Sequence, residues 1–244
     1  MRRFFIKNSL SEEIIINDQD AHHISKVLRL QAGDTITVID PDGRAGIAQI
    51  KQCSTDHVNL ILQGVLEETK EAPIQVCLAQ GLPKSDKMDY IIQKAVELGI
   101  TTVYPVQMDR SVVQYDAAKK KVRRERWQKI SEEAAKQCGR SLVPSVEPIQ
   151  NLDELFSHIP DGVAILMLYE GQAEKGFRQI LEEKPAAAYL LLVGPEGGFS
   201  NKEVATAQKH GASVVTMGPR ILRTETASLA AIAMIMYEYG DMGG

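Results

Sequence analysis

Three cysteines among 244 residues, Cys53, Cys77 and Cys138, lie far apart and form no CxxC pair or Cys/His cluster. That excludes a disulfide scaffold and a structural zinc site, and buried or incidental thiols are the expectation. Aromatic residues make up only 5%, with one tryptophan, Trp127, so platforms for stacking bases are sparse. No apolar run is long enough to span a bilayer as a helix, the longest lying near 227–237. The opening MRRFFIKNSLSEE holds two arginines but no apolar stretch of signal-peptide length, and the expectation is a soluble cytoplasmic chain with no membrane partner. A Walker loop and a GxGxxG fingerprint are both missing, which disfavours a conventional nucleotide site. What is present is ordinary globular composition, 25% charged and 44% hydrophobic, enough for a full core without staples.

A formal net charge of −4 hides an asymmetry. Residues 71–150 carry 13 basic against 10 acidic side chains, while 151–244 carry 7 against 12. The positive excess gathers at Lys119, Lys120, Lys121, Arg123, Arg124, Arg126 and Lys129. Such a stripe either neutralises phosphates or is a solvated helix face.

Two organisations follow one another along the chain. Residues 1–70 contain short β-rich runs, 35–39, 45–48 and 58–62, separated by turn signals at Gly33-Asp34 and Pro41-Asp42-Gly43, as expected of a small barrel or sandwich. A helix is expected over 21–30, and a polar linker over 67–73. From residue 73 to 244, apolar strand runs at 74–79, 102–106, 163–169, 189–193 and 213–217 alternate with helices. The helices are expected at 85–98, stopped by Gly99, and at 119–138, 174–182 and 224–239, with one more opened by Ser200 and Glu203 at capping-box spacing. Alternation of this kind predicts a parallel sheet covered on both faces. Met234 and Met236 share the apolar last helix and are expected in the core.

Two loops at strand ends attract attention: Gly194-Pro195-Glu196-Gly197-Gly198-Phe199-Ser200, and Met217-Gly218-Pro219-Arg220-Ile221-Leu222-Arg223-Thr224-Glu225-Thr226-Ala227. Ligands of open α/β sheets bind outside the carboxyl ends of strands, so the loops are expected to share one pocket. Each has a plain alternative, a tight turn for the first and an Arg223–Glu225 pair at a helix start for the second.

The segments GPEGGFS and GPRILRTETA, with HHISKVLRLQAGD, KMDYIIQKAVELGI, DRSVV and RWQKISEEAAKQCGRS in that order, resemble the RsmE family of 16S ribosomal RNA (uracil-N3)-methyltransferases, within the SPOUT superfamily. The likeness covers nearly the whole chain; Cys138 departs from the expected serine. It implies an α/β fold, a SPOUT-type parallel sheet ending in a trefoil knot, preceded by a PUA-like β-barrel. It implies S-adenosyl-L-methionine as methyl donor, S-adenosylhomocysteine as product, no metal, and a homodimer acting on a uridine in the decoding region of 16S rRNA in the small ribosomal subunit. Leu168, Tyr169, Gly194, Glu196, Gly197, Gly198, Met217, Gly218, Ile221 and Leu222 would hold the cofactor. Arg223 would stabilise the uracil anion, with Glu225 as base or orienter, because N3 must lose its proton before it attacks. Arg2, Arg3, His22, His23, Lys26, Arg29 and Arg110 would bind RNA, although the His22-His23 doublet is also an ordinary helix-start feature. Competing readings are a ribose 2′-O-methyltransferase, an RNA-binding assembly factor without turnover, and a nucleotide-binding oxidoreductase.

Overall fold

The computed structural model describes residues 2–66, 71–169, 171, 173 and 175–243, and the chain divides into two compact units. The first comprises residues 1–71 together with 135–142, and the second the remainder.

In the first unit, strands β1 (Arg3–Phe5), β2 (Glu13–Asn17), β3 (Thr35–Ile39), β4 (Ala45–Cys53) and β5 (His57–Leu66) form one sheet in the order β1-β3-β4-β5-β2. Strict alternation in β2 buries Ile14 and Ile16 and exposes Glu13, Ile15 and Asn17, the period-two signature of a one-sided sheet. Phe4, Ile24, Ile36, Val38, Ile50, Val58 and Leu60 complete this core. The helix expected over 21–30 is shorter and starts earlier. It is α1 (Asp18–His22), continued by a π-helical turn, His23–Val27, in which the Leu28 amide donates to His23 O. Arg29, in the left-handed region at φ 54°, then ends it. Residues 67–70 of the expected linker lie outside the described residues.

The second unit is a seven-stranded, wholly parallel sheet in the order β10-β12-β9-β11-β6-β7-β8. Its strands are β6 (Gln75–Gly81), β7 (Thr102–Val106), β8 (Ser145–Val146), β9 (Ala164–Leu168), β10 (Lys175–Gly176), β11 (Ala188–Val193) and β12 (Ser213–Thr216). Its helices are α2 (Lys87–Glu97), α3 (Ala117–Cys138, of which 135–138 belong to the first unit), α4 (Leu152–His158), α5 (Phe177–Glu183), α6 (Asn201–Lys209) and α7 (Thr224–Glu238). Leu190 and Leu192 pack towards Leu155 and Phe156 of α4 and Val204 and Ala207 of α6. Alternation turns Leu191 and Val193 to the other face, where α7 packs against β11 and β6 and also meets α2. Both faces are covered, which is why these strands read as unbroken apolar runs.

The short elements β8, α4 and β10 carry too few periodic residues to stand out in the sequence. The start of α5 was expected at Glu174, which lies outside the described residues. The core assignment of Met234 is corrected: Met236 is fully buried but Met234 is 46% exposed, because two residues along a helix rotate the side chain well round the axis.

Candidate functional site

Strands β12, β9 and β11 are neighbours and parallel, so their carboxyl ends open along one stretch of sheet edge. The segments that leave them enclose a cavity of about 360 Å³, the size of a small-molecule site. Leu168 ends β9 and Tyr169 follows it, Gly194, Glu196 and Phe199 follow β11, and Met217, Gly218 and Arg220 to Thr224 follow β12. Lys87, the first residue of α2, adds a cation to the wall.

Local chemistry fixes the glycine loop at both ends. Where it enters α6, Ser200 caps the helix, accepting from the Glu203 amide at 3.3 Å, while Glu203 accepts from the Ser200 amide at 2.7 Å. The other Glu203 oxygen accepts from the Asp109 amide at 2.8 Å, and Ser200 Oγ donates to Asp109 Oδ2 at 2.7 Å. Where the loop leaves β11, a Cβ on Gly81 would sit 2.6 Å from Pro195 Cδ and 2.7 Å from Pro195 N, so glycine there lets the loop cross β6 closely.

A buried network ties the two loops together. Thr224 Oγ1 donates to Gly194 O at 2.7 Å and accepts from Gln80 Nε2 at 2.9 Å, and Ser228 Oγ donates to Gln80 Oε1 at 2.5 Å. These side chains are buried and satisfied, so the network rigidifies the junction of β6, β11 and α7.

The charges of the site fall into a neutralised group and a free one. Lys87 Nζ lies 2.9 Å from Glu196 Oε1 and 3.1 Å from Glu225 Oε2. The Lys84 amide also donates to both Glu196 oxygens, at 3.3 and 3.2 Å. Burial acts to raise the Glu196 carboxyl, but Lys87 and the backbone amides hold it below the usual carboxylate value. Glu225 behaves likewise: burial works against ionisation, its own amide at the start of α7, then Lys87 and Arg223 overcome it, and the net direction is down. The hydrogen bond to Glu196 raises Lys87, burial opposes this, and Glu225 adds to the rise. Arg223 is exposed at the N-cap of α7; its carbonyl accepts from the Ala227 amide at 2.8 Å, but its guanidinium makes no hydrogen bond or ion pair among the described residues.

The structure thus places Leu168, Tyr169, Gly194, Glu196, Gly198, Met217, Gly218, Ile221, Leu222 and Arg223 around one cavity. Gly197 sits outside it, against Arg110, whose guanidinium donates to Gly197 O at 3.2 Å. Glu225 reaches the cavity through Lys87. In the first unit, His22, His23, Lys26 and Arg29 are exposed along α1 and the turn after it, and Arg2 donates to Leu28 O at 3.4 Å. Arg3 is turned to Gly139 O instead. Trp127 is only 2% exposed, its Nε1 donating to Asp89 at 3.0 Å, so it offers no stacking face. Lys87 and the Gln80–Thr224–Ser228 network went unmarked in the sequence. Lys87 and Gln80 each lie over a hundred residues from the side chains they bind, and nothing in KSDKMD sets Lys87 apart. Among the described residues no three His, Cys, Asp or Glu side chains gather as a metal site, and no helix is long and apolar enough to cross a membrane.

The expected cofactor carries an amino acid end, a cationic sulfur and an adenosine. The cavity answers with carboxylates (Glu196, and Glu225 behind Lys87), guanidinium groups (Arg220, Arg223) and apolar walls (Val193, Phe199, Leu222). Gly218, at φ 109°, has nothing within 4 Å of where a side chain would stand, so the cavity is open there. The residues fit the group.

Comparison with known proteins agrees with this geometry. An RNA methyltransferase domain model matches residues 70–236, and an RNA methyltransferase PUA domain model matches residues 16–63. Ribosomal RNA small subunit methyltransferase E of Bacillus subtilis is 38% identical over 98% of this chain and 97% of its own length. The crystal structure of a ribosomal RNA small subunit methyltransferase E from Neisseria gonorrhoeae, bound to S-adenosyl methionine, superposes with a TM-score of 0.89 at 33% identity, covering 99% of each chain. A Legionella pneumophila structure in complex with the same cofactor gives 0.84 at 26% identity, covering 98% of each chain.

Proposed function

Because the chain belongs to the ribosomal RNA small subunit methyltransferase E family, we propose that it methylates N3 of one uridine in the decoding region of 16S rRNA, with S-adenosyl-L-methionine as donor. The observation that carries the reading is the cavity at the ends of β9, β11 and β12, walled by both glycine-bearing loops and bordered by two arginines, Arg220 and Arg223, whose guanidiniums pair with no carboxylate among the described residues. When bound, the donor supplies an electrophilic methyl group on a sulfur that leaves without acid help. What this chain must do is align the base and manage the N3 proton.

Arg223 would do the second task electrostatically. Its guanidinium is free to meet a uracil carbonyl, stabilising the anion that forms as N3 gives its proton to solvent water. Glu225 is better suited to orient than to accept that proton, since its carboxyl is held low and is engaged by Lys87. Glu196 favours a cationic group at the cavity wall, and the buried Thr224–Gly194 bond keeps both loops in register. Gly194, Gly198, Gly218, Met217, Ile221 and Leu222 would receive the cofactor through backbone and apolar contact, with Leu168 and Tyr169 walling it.

Arg2, Arg3, His22, His23, Lys26 and Arg29 are proposed to meet RNA from the first unit, and Arg110 from the second. The homodimer is proposed on Tyr90 of α2 and Met234 and Tyr237 of α7, large apolar side chains left exposed on two helices that pack together. The trefoil knot belongs to the same proposal.

The test is methyl transfer from labelled donor to 30S subunits lacking the modification and to free 16S rRNA, with nucleoside analysis. 3-Methyluridine is expected. Label on a ribose would move the chain to 2′-O-methylation, and failure to bind the donor would overturn the enzyme reading.

A further inference from the structure

The N-terminal half of α3 is held by no apolar face. From Ala117 to Arg126 no side chain is buried, and the first that is, Trp127, is followed by Ser131 and Ala134. Ten residues make about 15 Å of helix with every side exposed or half-exposed.

Its composition works against its own folding. Residues 117–131 hold seven basic side chains and one acidic, Glu125. Within the first turn there is no acidic residue, and only Asp116 before it, accepting from the Lys119 amide at 2.8 Å, offsets the cations that crowd the end at which the helix dipole is already positive. Lys119 with Arg123, and Lys120 with Arg124, set like charges four residues apart, which destabilises further. Internal neutralisation is partial. Lys119 pairs with Asp116 and Arg126 with Asp89, whereas Arg123 lies over the Tyr115 ring at 5.6 Å and Arg124 donates only to Val146 O. Among the described residues, Lys120, Lys121, Arg123, Arg124 and Lys129 have no carboxylate within ion-pair distance. A local conflict of this size, uncompensated by packing, marks a surface shaped for a partner.

The position is as telling as the charge. Asp89, which binds Arg126 and Trp127, lies two residues beyond Lys87 in the first turn of α2, and Lys87 lines the cavity. We propose that residues 119–129 of α3 form a docking rail for the phosphate backbone of the RNA whose base enters the cavity. The proposal rests on the RNA methyltransferase reading above. A helix made for a membrane surface would carry an apolar face opposite its cations; here the cations surround the axis, and Val122 is the one large apolar side chain exposed among them. Lysine ammoniums as point charges and arginine guanidiniums as bidentate forks both suit phosphates, which position a nucleic acid without reading its sequence.

The test is the full-length triple variant Lys120→Gln/Lys121→Gln/Arg123→Gln, titrated with unmethylated 16S rRNA transcript over a range of salt. Each lost phosphate contact on a single strand removes about 0.7 from the slope of log affinity against log salt, so the slope is expected to become shallower by about 2. KM for RNA at physiological salt rises by about tenfold or more, with kcat at saturating RNA and cofactor affinity unchanged. Removing like charges leaves the melting temperature equal or higher, which separates the effect from misfolding. The control Lys202→Gln/Lys209→Gln on exposed positions of α6 keeps the native slope. An unchanged slope in the triple variant overturns the rail even if the native chain methylates RNA. An α3-dependent slope in a chain that transfers no methyl group overturns the proposed function and leaves the rail standing.

Discussion

Lys87→Met tests the electrostatic heart of the site, since it keeps the length and apolar stem of the side chain and deletes its charge. Nζ lies 2.9 Å from Glu196 Oε1 and 3.1 Å from Glu225 Oε2, so the two carboxylate oxygens are within about 6 Å of each other. Bare charges at about 6 Å repel by about 3 kcal/mol at an effective dielectric of about 20. Lys87 is about one-third exposed, and water entering the gap screens part of this, leaving about 2 kcal/mol of lost stability near neutral pH. In the native chain both glutamates titrate below their ordinary value. Their contribution is therefore present above the unfolded carboxylate pKa and lost as pH falls through the lowered folded value. The raised Lys87 contributes stability that is complete at neutral pH and is lost only as pH rises through its folded value. In the variant, repulsion pushes the glutamate pair upward, so its destabilisation is full at neutral pH and fades as pH falls into the carboxylate range. Urea unfolding at about pH 7.5 and about pH 4.5 reads this directly, with a midpoint lowered by somewhat under 1 M at the higher pH for a slope of about 2–3 kcal/mol/M. Equal deficits at the two pH values, or none near neutrality, would refute the reasoning.

Three further outcomes follow from the same geometry. Arg223→Lys keeps the charge but loses the planar fork, and kcat is expected to fall about 10²-fold with cofactor affinity unchanged in calorimetry; a pure rise in KM would count against contact with the forming anion. Glu225→Gln is expected to leave the shape of the kcat/KM profile between about pH 5 and 8 unaltered, because a carboxyl held low has finished titrating before that window; loss of a limb there would restore it as the base. Gly81→Ala drives a methyl group into the Pro195 backbone, so cofactor affinity is expected to drop at least tenfold along with stability, by about 1–3 kcal/mol; a native affinity would show that the loop can shift.

Much of the second unit could be read from the chain because its signals are local. Ser200 and Glu203 cap α6 through bonds three residues apart, and Gly99, at φ 97°, ends α2 where a left-handed residue is needed. The buried strands declare themselves as apolar runs because both faces are covered. The short pieces β8, β10 and α4 do not, and α1 passes into a π-helical turn that no periodicity encodes. The glycine-bearing loops stood out as strand-to-helix turns, but the carboxylates' cation did not, since Lys87 differs in nothing from its exposed neighbours until the fold brings Glu196 and Glu225 to it.

The sequence by itself determined the succession of the longer strands and helices of the second unit, the capping of α6, the resemblance of its loops to a methyltransferase family and the concentration of positive charge at 119–129. Those properties depend on neighbours a few residues apart. The tertiary structure alone decided that β12, β9 and β11 lie side by side, and so that three separate loops share one cavity. It also decided that Trp127 is buried against Asp89, that Met236 is core while Met234 faces outward, and that Glu225 is tied to Lys87. The physical reason is that strand order is set by crossover connections and by which faces can be covered. Contacts between residues over a hundred positions apart leave no period in the chain that makes them.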